Sequence, residues 1–113
     1  MKKTLLIASL ITSSIVIAPT AHADDLSLRI CEYVQANDKN RLRAFLKQNK
    51  LKIRNIYDDL ACNSDNILIF SAKSNAIEVG EFIISKLPAQ KVKDEIDNLA
   101  KHSMHLSEKA KER

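Results

Sequence analysis

One glycine and two prolines in 113 residues leave this chain few ways to turn other than at helix ends. An all-β fold needs turn residues every eight to twelve positions, and this sequence lacks them. Its apolar residues instead recur at three- and four-residue spacing. Leu26, Ile30, Tyr33 and Val34 mark one face of a first helix, and Leu42, Phe45 and Leu46 mark a second that ends near Gln48-Asn49. Asn37-Asp38-Lys39-Asn40, between them, has capping chemistry. Leu51 to Arg54 alternates briefly, and Ile56, Tyr57 and Leu60 suggest a short helical turn leading to Cys62. The cap cluster Asn63-Ser64-Asp65-Asn66 opens a helix with Ile67, Leu68, Phe70 and Ala72. Another helix, with Val79, Phe82, Ile83 and Ile84 inward, closes at Leu87-Pro88, because the residue before a proline avoids the helical region. Val92, Ile96, Leu99, Ser103, Leu106 and Ala110 predict one long, charge-laced helix over 90–113, fraying over 107–113. The expected fold is all-α: a small single-domain bundle of stacked helical hairpins with a long C-terminal helix.

The single glycine also excludes function classes. No phosphate-cradling loop or dinucleotide fingerprint can be built from it. Two cysteines and three histidines cannot supply a four-cysteine zinc site, and no cofactor motif is evident.

Residues 1–23 read as an address. Lys2 and Lys3 precede an apolar run from Thr4 to Ala18, Pro19 breaks it, and Ala21-His22-Ala23 places small residues at a cleavage site before Asp24. The run is shorter than the roughly 20 residues a membrane span needs, which disfavours an uncleaved anchor. The expectation is a bacterial signal peptide, residues 1–23, and a domain over 24–113 that is periplasmic or secreted, with no transmembrane segment after processing. Removing the signal leaves 90 residues with 16 basic and 14 acidic side chains, a net charge of +2. That balance, with the compartment, argues against a nucleic-acid partner.

Export would send Cys31 and Cys62 to a compartment where disulfides form and persist. As the only pair they are expected to bond, and a small core gains most from such a staple. A catalytic thiol is the competing reading. It lacks a Cys-x-x-Cys spacing and a histidine nearby in sequence.

The two helix pairs align at an offset of 38, Asn37–Leu46 over Asn75–Ile84. The second copy, Asn66 to Ile84, resembles the helix–turn–helix of an ankyrin repeat. The Thr-Pro-Leu-His opening is missing and an asparagine stands at the turn glycine. Any two amphipathic hairpins would share much of the likeness. A true repeat would imply stacked hairpins with a concave face for a protein partner.

Cys31-x-Tyr33-Val34, then Asn37-Asp38-Lys39-x-Arg41-Leu42-Arg43, Leu51-x-Ile53-Arg54-x-Ile56-Tyr57, Cys62-Asn63, Asn75-Ala76-x-Glu78-Val79-Gly80 and Leu87-Pro88 form a set of motifs. Through them, roughly Leu26 to Pro88 resembles a family of small exported Gram-negative proteins, domain of unknown function 3718. The resemblance implies a one-domain exported protein with two cysteines and no established activity. It strengthens the disulfide and adds no chemistry.

Charge is segregated along the chain. Lys39, Arg41, Arg43, Lys47, Lys50, Lys52 and Arg54 follow one another with no acid between, whereas 24–38 sums to −3 and 55–85 to −4. Such a stripe suits an anionic surface, either phosphates of the envelope or an acidic protein. The alternative is a solvated face compensated by the acidic hairpins of the same domain. His102, His105 and Glu108 are spaced by three and read as surface residues rather than a metal centre. Asp58, Asp59, Glu78 and Glu81 read as caps and solvent-facing turns, and no base accompanies them as a catalytic constellation would require. Two function classes therefore stand: a non-enzymatic interaction module that docks through its basic stripe, and a small periplasmic enzyme or enzyme inhibitor whose site one sequence does not reveal.

Overall fold

The computed structural model describes residues 22–113. The n-region, the apolar run, Pro19 and Ala21 of the expected signal lie outside the described residues. Eight α-helices follow in order: α1 (His22–Gln35), α2 (Lys39–Gln48), α3 (Ile53–Ile56), α4 (Ile67–Lys73), α5 (Ile77–Lys86), α6 (Ala89–Lys93), α7 (Ile96–His102) and α8 (Met104–Lys111), with a 3-10 turn at Tyr57–Asp59 after α3. The only strand-like pairing among the described residues is an isolated antiparallel bridge between Cys62 and Asp65. The fold is all-α, as the helical periodicity predicts.

Helix α4 is the centre. Ile67, Leu68, Ile69, Phe70, Ser71 and Ala72 are all buried and only Lys73 at the C-terminal end is exposed, so this helix must be wrapped by others. Around it, Ile30 and Val34 of α1, Leu42 and Leu46 of α2, Val79, Ile83 and Ile84 of α5, Leu99 of α7 and Leu106 of α8 complete one shared core. The buried Ser71 hydroxyl is satisfied by donating to the Leu68 carbonyl at 2.6 Å.

The echo at an offset of 38 is present in the backbone. Asn37 and Asn75 both adopt left-handed φ, 55° and 56°. At the first turn the Asn37 N–H donates to the Val34 carbonyl (3.0 Å) and that of Asp38 to Tyr33 (2.9 Å). At the second, Asn75 donates to Ala72 (3.2 Å) and Ala76 to Ser71 (2.8 Å). Both are helix C-caps that close through a left-handed residue, a geometry asparagine tolerates. The hairpins α1–α2 and α4–α5 are also joined: Asn37 Oδ1 accepts the Val79 N–H at 3.0 Å, capping α5, whose own N-cap Ala76 has no side chain able to do so.

The sole glycine marks a close approach. A β-carbon at Gly80 would lie 2.6 and 2.8 Å from the Leu106 methyls and 3.0 Å from Ser71 Oγ. Glycine thus lets α5 pack against α4 and α8 at once.

The C-terminal segment corrects the expectation of one long helix. It is three short helices, interrupted at Asp94-Glu95 and at Ser103. Ser103 is extended, with φ −153° and ψ 103°, and its hydroxyl accepts the Leu106 N–H at 3.2 Å as the N-cap of α8. A single helix over 24 residues would run about 36 Å, past the edge of so small a core. Folding back at Ser103 lets Leu99, Leu106 and Ala110 all be buried. The tail is packed rather than loose. Ser107 donates to the Ile96 carbonyl at 3.2 Å, and the Arg113 guanidinium donates to the Ile84 carbonyl.

Cys31 and Cys62 are bonded, with Cα atoms 5.8 Å apart. The bridge ties α1 to the irregular stretch between the 3-10 turn and α4. Within it Asn63 and Ser64 both take positive φ (53° and 69°), and Cys62 and Asp65 exchange two backbone hydrogen bonds of 2.7 and 3.0 Å. No helix of the described residues is long and apolar enough to cross a membrane.

Candidate anion-docking groove

The basic stripe does not stay on one surface. Leu42 and Leu46 must face the core, so on α2 the positions Asn40, Arg43, Ala44 and Lys47 are left along one outer side. After Gln48 the chain turns sharply: the Leu51 N–H donates to the Leu46 carbonyl at 2.8 Å and the Lys50 N–H to Lys47 at 3.2 Å. This brings Lys50, Lys52 and Arg54 back beside α2, while the buried Ile53 anchors the start of α3. The result is an open groove of about 800 Å³. Arg43, Lys47, Lys50, Lys52 and Arg54 line it from α2 and the following chain, and Phe82, Ser85 and Lys86 of α5 form the facing wall. Leu46, Leu51 and Ile53 supply apolar lining, and no carboxylate lines it.

Two of the seven stripe residues lie elsewhere. Arg41 pairs with Asp38 at 3.4 Å across one helical turn, and neither Arg41 nor Lys39 reaches the groove. Lys86 joins instead. It sits far along the sequence, in a segment of mixed charge, and only the packing of α5 beside α2 brings it close. Phe82, read from periodicity as a core residue, is half-buried and lies between two cations. The Arg43 guanidinium carbon is 5.9 Å and Lys86 Nζ 5.7 Å from its ring centroid. Attraction between a cation and the ring face, of about 0.5–1 kcal/mol when exposed, holds both head groups over the groove wall.

Lys50 has a second distinction. Its φ of 55° is left-handed, one residue past the α2 C-cap Asn49, where glycine is the usual choice. A long β-carbon-bearing side chain there costs on the order of 1 kcal/mol relative to glycine. The other left-handed residues among those described are three asparagines and a serine, short polar side chains suited to turns.

The acids that form ion pairs among the described residues do so away from the groove. Asp65 pairs with Lys73 at 2.9 Å, Asp58 with Lys91, Glu81 with His105, and Glu108 with Lys111 at 3.1 Å. Among the described residues, no ion pair involves Arg43, Lys47, Lys50, Lys52, Arg54 or Lys86. His102 and His105 fall on different helices, α7 and α8, and no group of three metal-ligating side chains comes together among the described residues.

A second cavity, of about 400 Å³, has the opposite character. Asp58, Asp65, Asp94 and Glu95 line it together with Lys91, Tyr57 and Asn66. The Tyr57 hydroxyl is buried with no hydrogen-bond partner among the described residues. Burial, reinforced by the nearby carboxylates of Glu95 and Asp58, pushes its pKa far above the usual phenol range.

Residues 30–94 match the model of a family described as a protein of unknown function (DUF3718). No curated protein and no solved structure matches the chain. With more than half of its length matched, the chain belongs to this family.

Proposed function

We propose that this member of a family of unknown function is an exported, non-enzymatic binding module that docks an anionic envelope component or acidic protein in the groove between α2 and α5. The observation that carries the reading is the charge on the groove walls: six cations around one concavity, with no acid among the lining residues. Like charges this close repel unless they are screened or matched by a ligand. Internal compensation would require carboxylates on the groove, and those of the described ion pairs lie elsewhere. The strained Lys50 points the same way, since a backbone position suited to glycine carries a cation that lines the groove. The sequence supports the compartment: a basic start, a short apolar run and Ala21-His22-Ala23 favour cleavage before Asp24 and delivery to the periplasm.

Retention on immobilised polyglutamate tests the reading. The protein is expected to bind at low ionic strength and to elute as salt approaches about 1 M, where the screening length falls to about 3 Å. A variant reversed at Lys101 and Lys111, outside the groove, should bind as the parent does. Equal loss from that control variant and from a groove-reversed one would show general basicity instead of a site.

A further inference from the structure

Within the anion-docking reading, on which this inference rests, the shape and lining of the groove discriminate between kinds of anionic partner. A bilayer surface is planar on the scale of this domain, and firm attachment to one commonly adds exposed apolar side chains inserted below the headgroups to the charge attraction. Among the described residues the most exposed large hydrophobics are Leu28 and Met104, and neither lines the groove. The cations also converge on one concavity from two parts of the chain: Arg43, Lys47 and Lys50 come from α2 and the turn after it, and Lys86 from α5. A flat sheet of headgroups matches a concave lining poorly, whereas a narrow chain laid along the groove can follow it. An isolated phosphate could engage only a few of the charges. The apolar lining between the walls, with the Phe82 ring flanked by two cations, adds a requirement that a plain polyanion does not meet.

We infer that the occupant of the groove is a peptide segment of a partner protein in which carboxylates alternate with apolar side chains. Its Asp or Glu residues meet the lysines and arginines of the walls, and its apolar residues cover Phe82 and the lining beneath. Burial of the apolar positions holds the segment, and charge complementarity fixes its placement and speeds encounter.

The test measures binding of the intact protein to three probes: a synthetic peptide alternating Glu with Leu and Phe, a polyglutamate peptide of equal charge, and phosphatidylglycerol vesicles. The alternating peptide is expected to bind at least tenfold more tightly than polyglutamate. Phe82→Ala should abolish that advantage while polyglutamate binding persists. Lys86→Glu, at an exposed position, should weaken both peptides at least tenfold even if the Phe82 variant folds poorly. Vesicle binding that exceeds peptide binding, or equal affinity for the two peptides, would overturn the peptide assignment and leave anion docking standing. Self-association of the protein that is lost in Lys86→Glu would place a second copy in the groove and overturn it as well. Failure of every anionic probe would overturn the docking reading itself.

Discussion

The two cavities of this domain lie on one core and handle charge in opposite ways. Around the acidic cavity, Asp58 and Asp65 each have a lysine partner, Asp94 and Glu95 accept side-chain amide hydrogen bonds from Gln90, Asn66 and Asn98, and the neighbouring cysteine is bonded to α1. The groove between α2 and α5 gathers six cations and no lining carboxylate, and it includes a lysine in a backbone conformation suited to glycine. Paired charges at a half-exposed surface add little to stability, roughly 0–1 kcal/mol each, but they leave nothing for a partner to satisfy. Uncompensated charges do the reverse. The first region secures the fold, and the second is where interaction free energy remains available.

Breaking the disulfide should have the largest effect, and it should fall on the secured side. The Cys31–Cys62 separation of 31 residues corresponds to about 3–4 kcal/mol in the loop-entropy description. Reduction, or Cys31→Ser with Cys62→Ser, should lower the melting temperature accordingly in a calorimetric scan. An unchanged melting temperature would mean that the bridge does not support the fold.

Gly80→Ala should come next, at about 1–3 kcal/mol, because its β-carbon must displace Leu106 or Ser71 in a filled core. Helix α5 would shift, and with it the groove wall that carries Phe82 and Lys86. Denaturant unfolding reads the stability loss, and binding of the acidic peptide should weaken alongside it.

The comparison predicts that stability and binding part company at Lys50. Lys50→Gly should stabilise by about 0.5–1 kcal/mol, by relieving the left-handed backbone, while reducing retention on an acidic matrix. On the other side, Tyr57→Phe removes a buried hydroxyl without a partner and should be neutral or stabilising by a few tenths of a kcal/mol, roughly. Its pH dependence is informative. The folded Tyr57 holds its proton more tightly than the unfolded chain does, so above about pH 10 the unfolded state releases a proton the folded state keeps, and stability falls as pH rises. Alkaline denaturation curves should show that fall lessened in Tyr57→Phe.

Much of this contrast was legible in the residues and part was not. The cysteine pair, the helical period and the two asparagine turns rest on local chemistry that sequence displays directly. Of the apolar face expected for the C-terminal segment, Val92, Leu99, Leu106 and Ala110 are fully buried, while Ile96 and Ser103 are only partly so. The break at Ser103 was hidden because a serine at an inward-facing register fits a helix interior as well as an N-cap, and only the shortness of the core decides between them. The close approach at Gly80 depends on where Leu106 arrives in space. The groove was half visible: Arg43 to Arg54 stand out as a run of like charge, while Lys86 and Phe82 come from another helix, and the diversion of Arg41 to Asp38 depends on side-chain placement.

The most direct test of the central claim, that the groove's charge is kept for a partner and not for the fold, is the variant Arg43→Glu, Lys47→Glu, Lys50→Glu, measured for unfolding and for retention on polyglutamate at low salt. Loss of the Arg43 contact with Phe82 should cost no more than about 1 kcal/mol, and relief of repulsion among the remaining cations should offset part of it. A melting temperature close to the parent's together with abolished retention is expected. A marked fall in stability with retention intact would contradict it and identify the stripe as internal charge compensation.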